Sequence, residues 1–199
     1  LSAPDSYMEK IVIGSNLPKN LMDIDNGVEK NIKLLAEAKN KKVSEINACV
    51  LKRPRHDEIV KTLNKLDVKI NFITDGDIAG ALSVIGENPK NDIYYSTGGA
   101  PEGVVVAAAL SCYGGQIQGK LVLDEEEKVR AKKLGITDFE KKYNIDDMVK
   151  GDVIFCATGV TSGDLANGVK DLGNEFEVNT FVLHKSQKII KSIKNIYNK

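Results

Sequence analysis

The chain has 199 residues, enough for one or two lobes with a substantial core. Its 28 basic and 28 acidic residues cancel, so no overall field recruits nucleic acid or an anionic membrane. No apolar run approaches the roughly 20 residues that span a bilayer, and no secretory signal is visible; the expectation is a cytoplasmic protein with neither membrane nor nucleic-acid partners.

Tyr7 to Gly14 reads as a strand closed by a glycine. Val28, Ile32 and Leu35 recur at helical spacing and predict an amphipathic helix over about 24–39. Ile46 to Lys52 predicts the next strand. Ile59, Val60, Leu63 and Leu66 mark the next helix, and Val68 to Ile73 a third strand. A helix over 75–84 and a short buried strand around Ile93-Tyr94-Tyr95 follow. The helix from Pro101 to Tyr113 is apolar all round between Val104 and Leu110, hence buried, and ends at Gly114-Gly115. Repeated strand–helix units of this length predict an α/β fold with a largely parallel sheet, covered by helices and joined by right-handed crossovers.

After Leu123 the character changes. Glu125 to Lys133 is charged and helical and Ile136 to Lys150 is polar, together a charged surface excursion over about 124–150. Val153-Ile154-Phe155-Cys156-Ala157 is unbroken apolar sequence, as for a strand buried on both faces. The last segment carries two patterns: Ile190, Ile193 and Ile196 have helical spacing, while Val178 to Leu183 would suit a hairpin. Cys49, Cys112 and Cys156 are odd in number and lie in apolar segments, which reads as buried, reduced thiols. With only His56 and His184 and no Cys/His cluster, any metal would be a hard, oxygen-liganded cation rather than zinc.

Four polar clusters follow predicted strands, where open α/β sheets gather their ligands. Arg53-Pro54-Arg55-His56-Asp57 holds two arginines apart on a rigid proline, a clamp for a phosphate or a solvated basic turn. Asp75-Gly76-Asp77 offers two carboxylates for sugar hydroxyls or a divalent cation; capping the next helix accounts for one of them. Gly98-Gly99-Ala100-Pro101-Glu102-Gly103 reads as a glycine turn opening a helix. Pro101 suits the first helical position and Glu102 the first turn, as a cap or as a ligand. Ala157 to Asp164 adds hydroxyls and backbone N–H groups. Together these are the components of a metal-assisted phosphate site.

In order and approximate spacing, Arg-Pro-Arg-His, Asp-Gly-Asp-Ile-Ala-Gly, Gly-Gly-Ala-Pro-Glu-Gly-Val and Ala-Thr-Gly-Val-Thr-Ser-Gly-Asp-Leu resemble the class II fructose-1,6-bisphosphatases. The opening Ala-Pro-Asp-Ser-Tyr-Met-Glu-Lys resembles them too, and only the stretch from Asp124 to Asp147 is a weak match. The resemblance implies a layered α/β sandwich of the lithium-sensitive phosphatase type. It also implies Mn²⁺- or Mg²⁺-dependent hydrolysis of fructose 1,6-bisphosphate to fructose 6-phosphate, a gluconeogenic step. Residue by residue, Glu102 matches a metal ligand, and Tyr7, Arg53, Arg55, Asp75, Asp77 and Gly99 match sugar-phosphate contacts; His56 inherits no catalytic role. The other acidic ligands and the residues that position the attacking water belong to an N-terminal half that the family has and this stretch lacks. The expectation is therefore the C-terminal portion of a homo-oligomeric sugar bisphosphatase, inactive alone. Two readings stand beside it: a dual fructose and sedoheptulose bisphosphatase, and a non-catalytic sugar-phosphate-binding domain. A dinucleotide-binding domain fits less well, because Gly-x-Gly-x-x-Gly does not occur at the Gly98-Gly99 turn.

Overall fold

The computed structural model describes residues 1, 4–163 and 165–199. Strand β1 (Tyr7–Ile13) puts Met8, Lys10 and Val12 on one face and Ile11 and Ile13 on the other, and all five are buried. Alternation buried on both sides marks a central strand, and β1 lies inside a six-stranded sheet of order β3-β2-β4-β1-β5-β6. Its members are β2 (Asn47–Leu51), β3 (Lys69–Ile73), β4 (Ile93–Gly99), β5 (Gln116–Val122) and the short β6 (Lys142–Tyr143). Strands β2, β3, β4 and β5 share one direction, as the strand–helix rhythm predicts. β1 runs against them between β4 and β5, and β6 runs against β5, so the pairing is mixed.

Helices cover both faces. On the side of Ile11 and Ile13 lie α1 (Gly27–Ala38) and α2 (Asp57–Lys65), with Ile32, Leu35 and Leu63 fully buried. On the side of Met8 and Val12 lie α3 (Asp77–Leu82) and α4 (Ala100–Tyr113). Helix α4 buries Val106, Ala107, Ala109 and Leu110, and each large side chain removed from water contributes about 1.5–3 kcal/mol. It ends where Gly114, at φ 97°, donates its N–H to the Leu110 carbonyl. Beyond α4 lies a second sheet, so the layers run helix, sheet, helix, sheet: a layered α/β sandwich.

The second sheet is antiparallel, built from β7 (Ile154–Thr158), β8 (Lys170–Asp171), β9 (Glu175–His184) and β10 (Ile189–Asn198) in the order β10-β9-β7, with β8 also pairing β9. Two expectations are corrected here. β7 is buried on one face only: Phe155 points inward while Ile154 and Cys156 are exposed, because nothing among the described residues covers the outer side of this sheet. Of the three cysteines only Cys49 is fully buried. The tail resolves as a hairpin, with Ile190, Ile193 and Ile196 on a strand rather than a helix. Between the sheets the chain forms α5 (Glu125–Lys133), opened by a reciprocal cap between Asp124 and Glu127, and α6 (Ile145–Met148). Ala131, Ile136, Tyr143 and Met148 of this charged stretch are buried in the shared core. No helix among the described residues is long and apolar enough to cross a membrane.

Candidate functional site

The directions of the strands decide what meets at one sheet edge. β2, β3 and β4 end there, and β1, running the other way, begins there: Tyr7 pairs with Gly99. This brings Tyr7, Arg53, Arg55, Asp75, Asp77, Gly99 and Glu102 to one end of the sheet from four separate stretches of chain.

Local chemistry holds each in place. Pro54 opens a single 3-10 turn (Pro54–His56), which sets Arg53 and Arg55 on either side of it. The Arg53 guanidinium donates to the Lys52 carbonyl at 2.8 Å and the Thr74 carbonyl at 2.9 Å, tying the end of β2 to that of β3. Arg55 is exposed; its Nε donates to the Thr97 carbonyl at 2.7 Å, and its guanidinium carbon lies 4.8 Å above the half-exposed Tyr7 ring. His56 is buried between the strands. It donates from Nδ1 to the Leu51 carbonyl, while Nε2 accepts from Thr97 N–H at 2.8 Å, which fixes the neutral tautomer. Burial, reinforced by Arg55, lowers its pKa. His56 thus has a structural role, pinning the arginine turn to β4.

The two aspartates part company. Asp75 is exposed and accepts the neighbouring Gly76 N–H at 2.8 Å. Asp77 opens α3 and turns inward, its side chain only 13% exposed. One carboxylate oxygen takes the Lys10 ammonium and the other takes hydroxyl protons from Tyr94 and Ser96, the latter at 2.7 Å. Lys10 also donates to the Gly99 carbonyl at 3.1 Å. Burial alone would raise the Asp77 pKa, but Lys10 and the two hydroxyls outweigh it and hold the carboxyl below its ordinary range. Burial, then the charge of Asp77, pushes the Tyr94 hydroxyl upward.

Gly98 and Gly99, expected to form a turn, are the last residues of β4, opposite Met8 and Tyr7, and neither has a positive φ. Their lack of a side chain serves close approach. A Cβ on Gly98 would lie 2.6 Å from an Asp77 carboxylate oxygen, and one on Gly99 would collide with the Glu102 carboxylate. Glu102, half-buried in the first turn of α4, therefore folds back over the end of β4.

Glu102 supplies a hard oxygen donor, but among the described residues no three His, Cys, Asp or Glu side chains are grouped to hold a metal. The described residues at this edge do not form a complete metal centre. The fourth cluster lies on the second sheet at the end of β7: Thr158 hydrogen-bonds Thr180 across the sheet at 2.9 Å, and the Ser162 hydroxyl accepts from Gly168 N–H at 3.0 Å. Its Asp164, like Ala3 of the opening motif, lies outside the described residues. Lys10, Tyr94 and Ser96 were not singled out in the sequence. The available signal was a lysine two residues from both Met8 and Val12, on a strand face otherwise apolar.

Residues 1–197 match the family described as bacterial fructose-1,6-bisphosphatase, glpX-encoded. The chain is similar to fructose-1,6-bisphosphatase class 2 of Haemophilus influenzae, 35% identical over 211 residues, covering 99% of this chain and 63% of that protein. It is 34% identical over 212 residues to fructose-1,6-bisphosphatase 1 class 2 of Escherichia coli K12, covering 99% of this chain and 62% of that protein. Over 213 residues it is 33% identical to the D-fructose 1,6-bisphosphatase class 2/sedoheptulose 1,7-bisphosphatase of a Synechococcus strain, covering all of this chain and 61% of that protein. The chain thus spans a little under two thirds of the length of these relatives.

Proposed function

The chain belongs to the bacterial, glpX-encoded fructose-1,6-bisphosphatase family, and from that premise we propose that it forms the sugar-phosphate side of a site that hydrolyses the 1-phosphate of fructose 1,6-bisphosphate. The products are fructose 6-phosphate and inorganic phosphate, made in the cytoplasm. The observation that carries this reading is the gathering of Tyr7, Arg53, Arg55, Asp75, Gly99 and Glu102 at one sheet edge.

Arg55 is anchored through Nε, and among the described residues its terminal amino groups have no partner, so they are left for a phosphate. The Tyr7 ring beneath it fixes the plane of the guanidinium, which lowers the ordering cost of binding. Arg53 adds positive charge beside it. Asp75, facing solvent, accepts hydrogen bonds from sugar hydroxyls. Asp77 reaches the sugar only along its narrow exposed edge; its larger effect is to hold Lys10, and through it the Gly99 carbonyl, beneath the substrate. Glu102 is this chain's ligand for Mn²⁺ or Mg²⁺. When bound, the cation supplies polarisation of the phosphoryl group and a more acidic attacking water. The remaining ligands come from the part of the family's length that this chain does not span, so the 199 residues alone release no phosphate.

The test is phosphate release from fructose 1,6-bisphosphate with Mn²⁺, by this chain alone and by the chain joined to the family's N-terminal part. Release is expected only from the joined protein. Glu102→Gln should lower it by at least about a hundredfold, more than the loss of an outer-shell partner, with the melting temperature unchanged. Turnover by the chain alone, or an unchanged rate in the variant, refutes the assignment. A second substrate is favoured by the Synechococcus relative, which is named for both bisphosphates. Nothing gathered at the edge measures sugar length, so sedoheptulose 1,7-bisphosphate is expected to be hydrolysed as well.

A further inference from the structure

The end of the first sheet opposite the candidate site carries a cavity of its own. β1 stops there at Ile13 and β5 starts there at Gln116, a strand length of about 20 Å from Tyr7 and Val122. The cavity has a volume of about 450 Å³, within the range of small-molecule sites. Ile117 and Ile145 give it apolar surface, and Lys19, Asn20, Asp146 and Lys150 stand around it.

Its walls are built by the chain itself. The Gln116 amide donates to the carbonyls of Leu17 at 3.3 Å and Pro18 at 2.9 Å, which fixes the loop that carries Lys19. Asn20 follows in the left-handed region, at φ 56°. On the other wall the Asp147 carboxylate accepts the Asn144 N–H at 3.0 Å and the Lys141 ammonium at 2.8 Å, which fixes the short helix α6 ahead of Lys150. Walls held in this way lower the ordering cost of binding.

The charges inside do not cancel. Asp147 is matched by Lys141, and Lys150 adds only a longer-range attraction. Among the described residues, neither Lys19 nor Lys150 has a hydrogen bond or an ion pair from its side chain, and neither does Asp146. Two free ammonium groups and one free carboxylate therefore face a space with apolar surface between them. We propose that this cavity is a second ligand site, which takes a small dianion whose two charged groups, carboxylate or phosphate, are joined by a short hydroxylated chain.

Each part of that description answers a group on the walls. One anionic group serves each ammonium, a hydroxyl donates to Asp146, and the carbon chain covers Ile117 and Ile145. A neutral sugar leaves both ammonium groups unmatched. A lone inorganic anion matches them, but it leaves the apolar surface bare and offers Asp146 no donor. The assignment is independent of what the sheet-edge site hydrolyses.

The experiment follows backbone amide shifts of the isotope-labelled chain during titration with L-malate and, separately, with 3-phosphoglycerate. Saturable shifts centred on Asn20, Gly115 and Asp146 are expected with at least one of them. The compound that gives them shows whether the second charged group is a carboxylate or a phosphate. Lys19→Ala and Lys150→Ala should each weaken that binding by at least about tenfold, as expected for a charge-assisted contact. Both side chains are exposed, so the melting temperature should not move. Failure of both compounds to give saturable shifts overturns the proposal. So do shifts centred on Tyr7 and Gly99 instead, or lysine variants that bind like the parent.

Discussion

A single buried charge organises the floor of the candidate site. Lys10 stands between Met8 and Val12 on a face packed with apolar groups, and it is tolerated there because Asp77 and the Gly99 carbonyl accept its hydrogen bonds. Breaking such a pair costs more than the pair itself contributes, because the surviving charge is stranded. Lys10→Met should therefore destabilise the chain by about 3–5 kcal/mol at neutral pH, and adding Asp77→Asn should restore most of the loss. The pH dependence should also change sign. In the parent, the depressed Asp77 pKa contributes stability that is present above the unfolded value and is lost as pH falls through the folded one. In Lys10→Met the carboxyl is buried without its cation and its pKa rises, so its contribution is lost as pH increases instead. Urea midpoints between about pH 3 and 7, which bracket the ordinary carboxylate range, decide the matter; a parent-like profile in the variant would sink this account. At this scale the sequence was informative where chemistry sits in short motifs: Arg53-Pro54-Arg55, Asp75-Gly76-Asp77 and Gly98 to Gly103 all reach one edge. It was silent on which aspartate faces solvent, because that depends on Lys10, distant in the chain and outside every motif.

Between elements, the buried imidazole of His56 is the joint. It links the Leu51 carbonyl at the end of β2 to the Thr97 N–H near the end of β4, and it carries the arginine turn with it. Protonation would replace the acceptor at Nε2 with a donor facing a donor. The lowered pKa has the matching consequence for stability: His56 contributes fully above its unfolded value near 6.5, and the contribution falls as pH drops below that toward the folded value. Thermal melts should therefore lose stability as pH falls below about 6.5, and His56→Gln should flatten that slope. A slope unchanged in the variant would assign it to other groups. Periodicity located the elements from β1 through α4, whereas β5 was not read from the sequence. It misjudged β7, where five apolar residues in a row suggested two buried faces, yet Phe155 and the partly buried Ala157 face the core while Ile154 and Cys156 are exposed. An apolar run shows that a strand is apolar; whether anything covers its second face is a property of distant chain. The same limit applies to β10, whose isoleucines every third residue fit a helix, while β9 supplies a hairpin partner across a four-residue turn.

Over the whole molecule, a sheet covered by helices was legible in the strand–helix rhythm, whereas the second sheet and the insertion of β1 against its neighbours were not, since local pattern fixes a strand's faces but not its partners. That insertion has a consequence for how the chain is made. Among the strands of this chain β1 is made first and is central in the finished sheet, yet its neighbours are β4 and β5, which are complete only at Gly99 and Val122. At about 5–20 residues per second, Ile11, Val12 and Ile13 wait on the order of ten seconds with both backbone edges unpaired. Contacts so far apart in sequence also slow folding from the denatured state. Stalled nascent chains ending before Gln116 should leave β1 open to protease, and those extended well past Val122 should protect it. During synthesis this interval leaves both edges of an apolar strand open to aggregation, and the exposure follows from topology rather than from any weakness in the finished core.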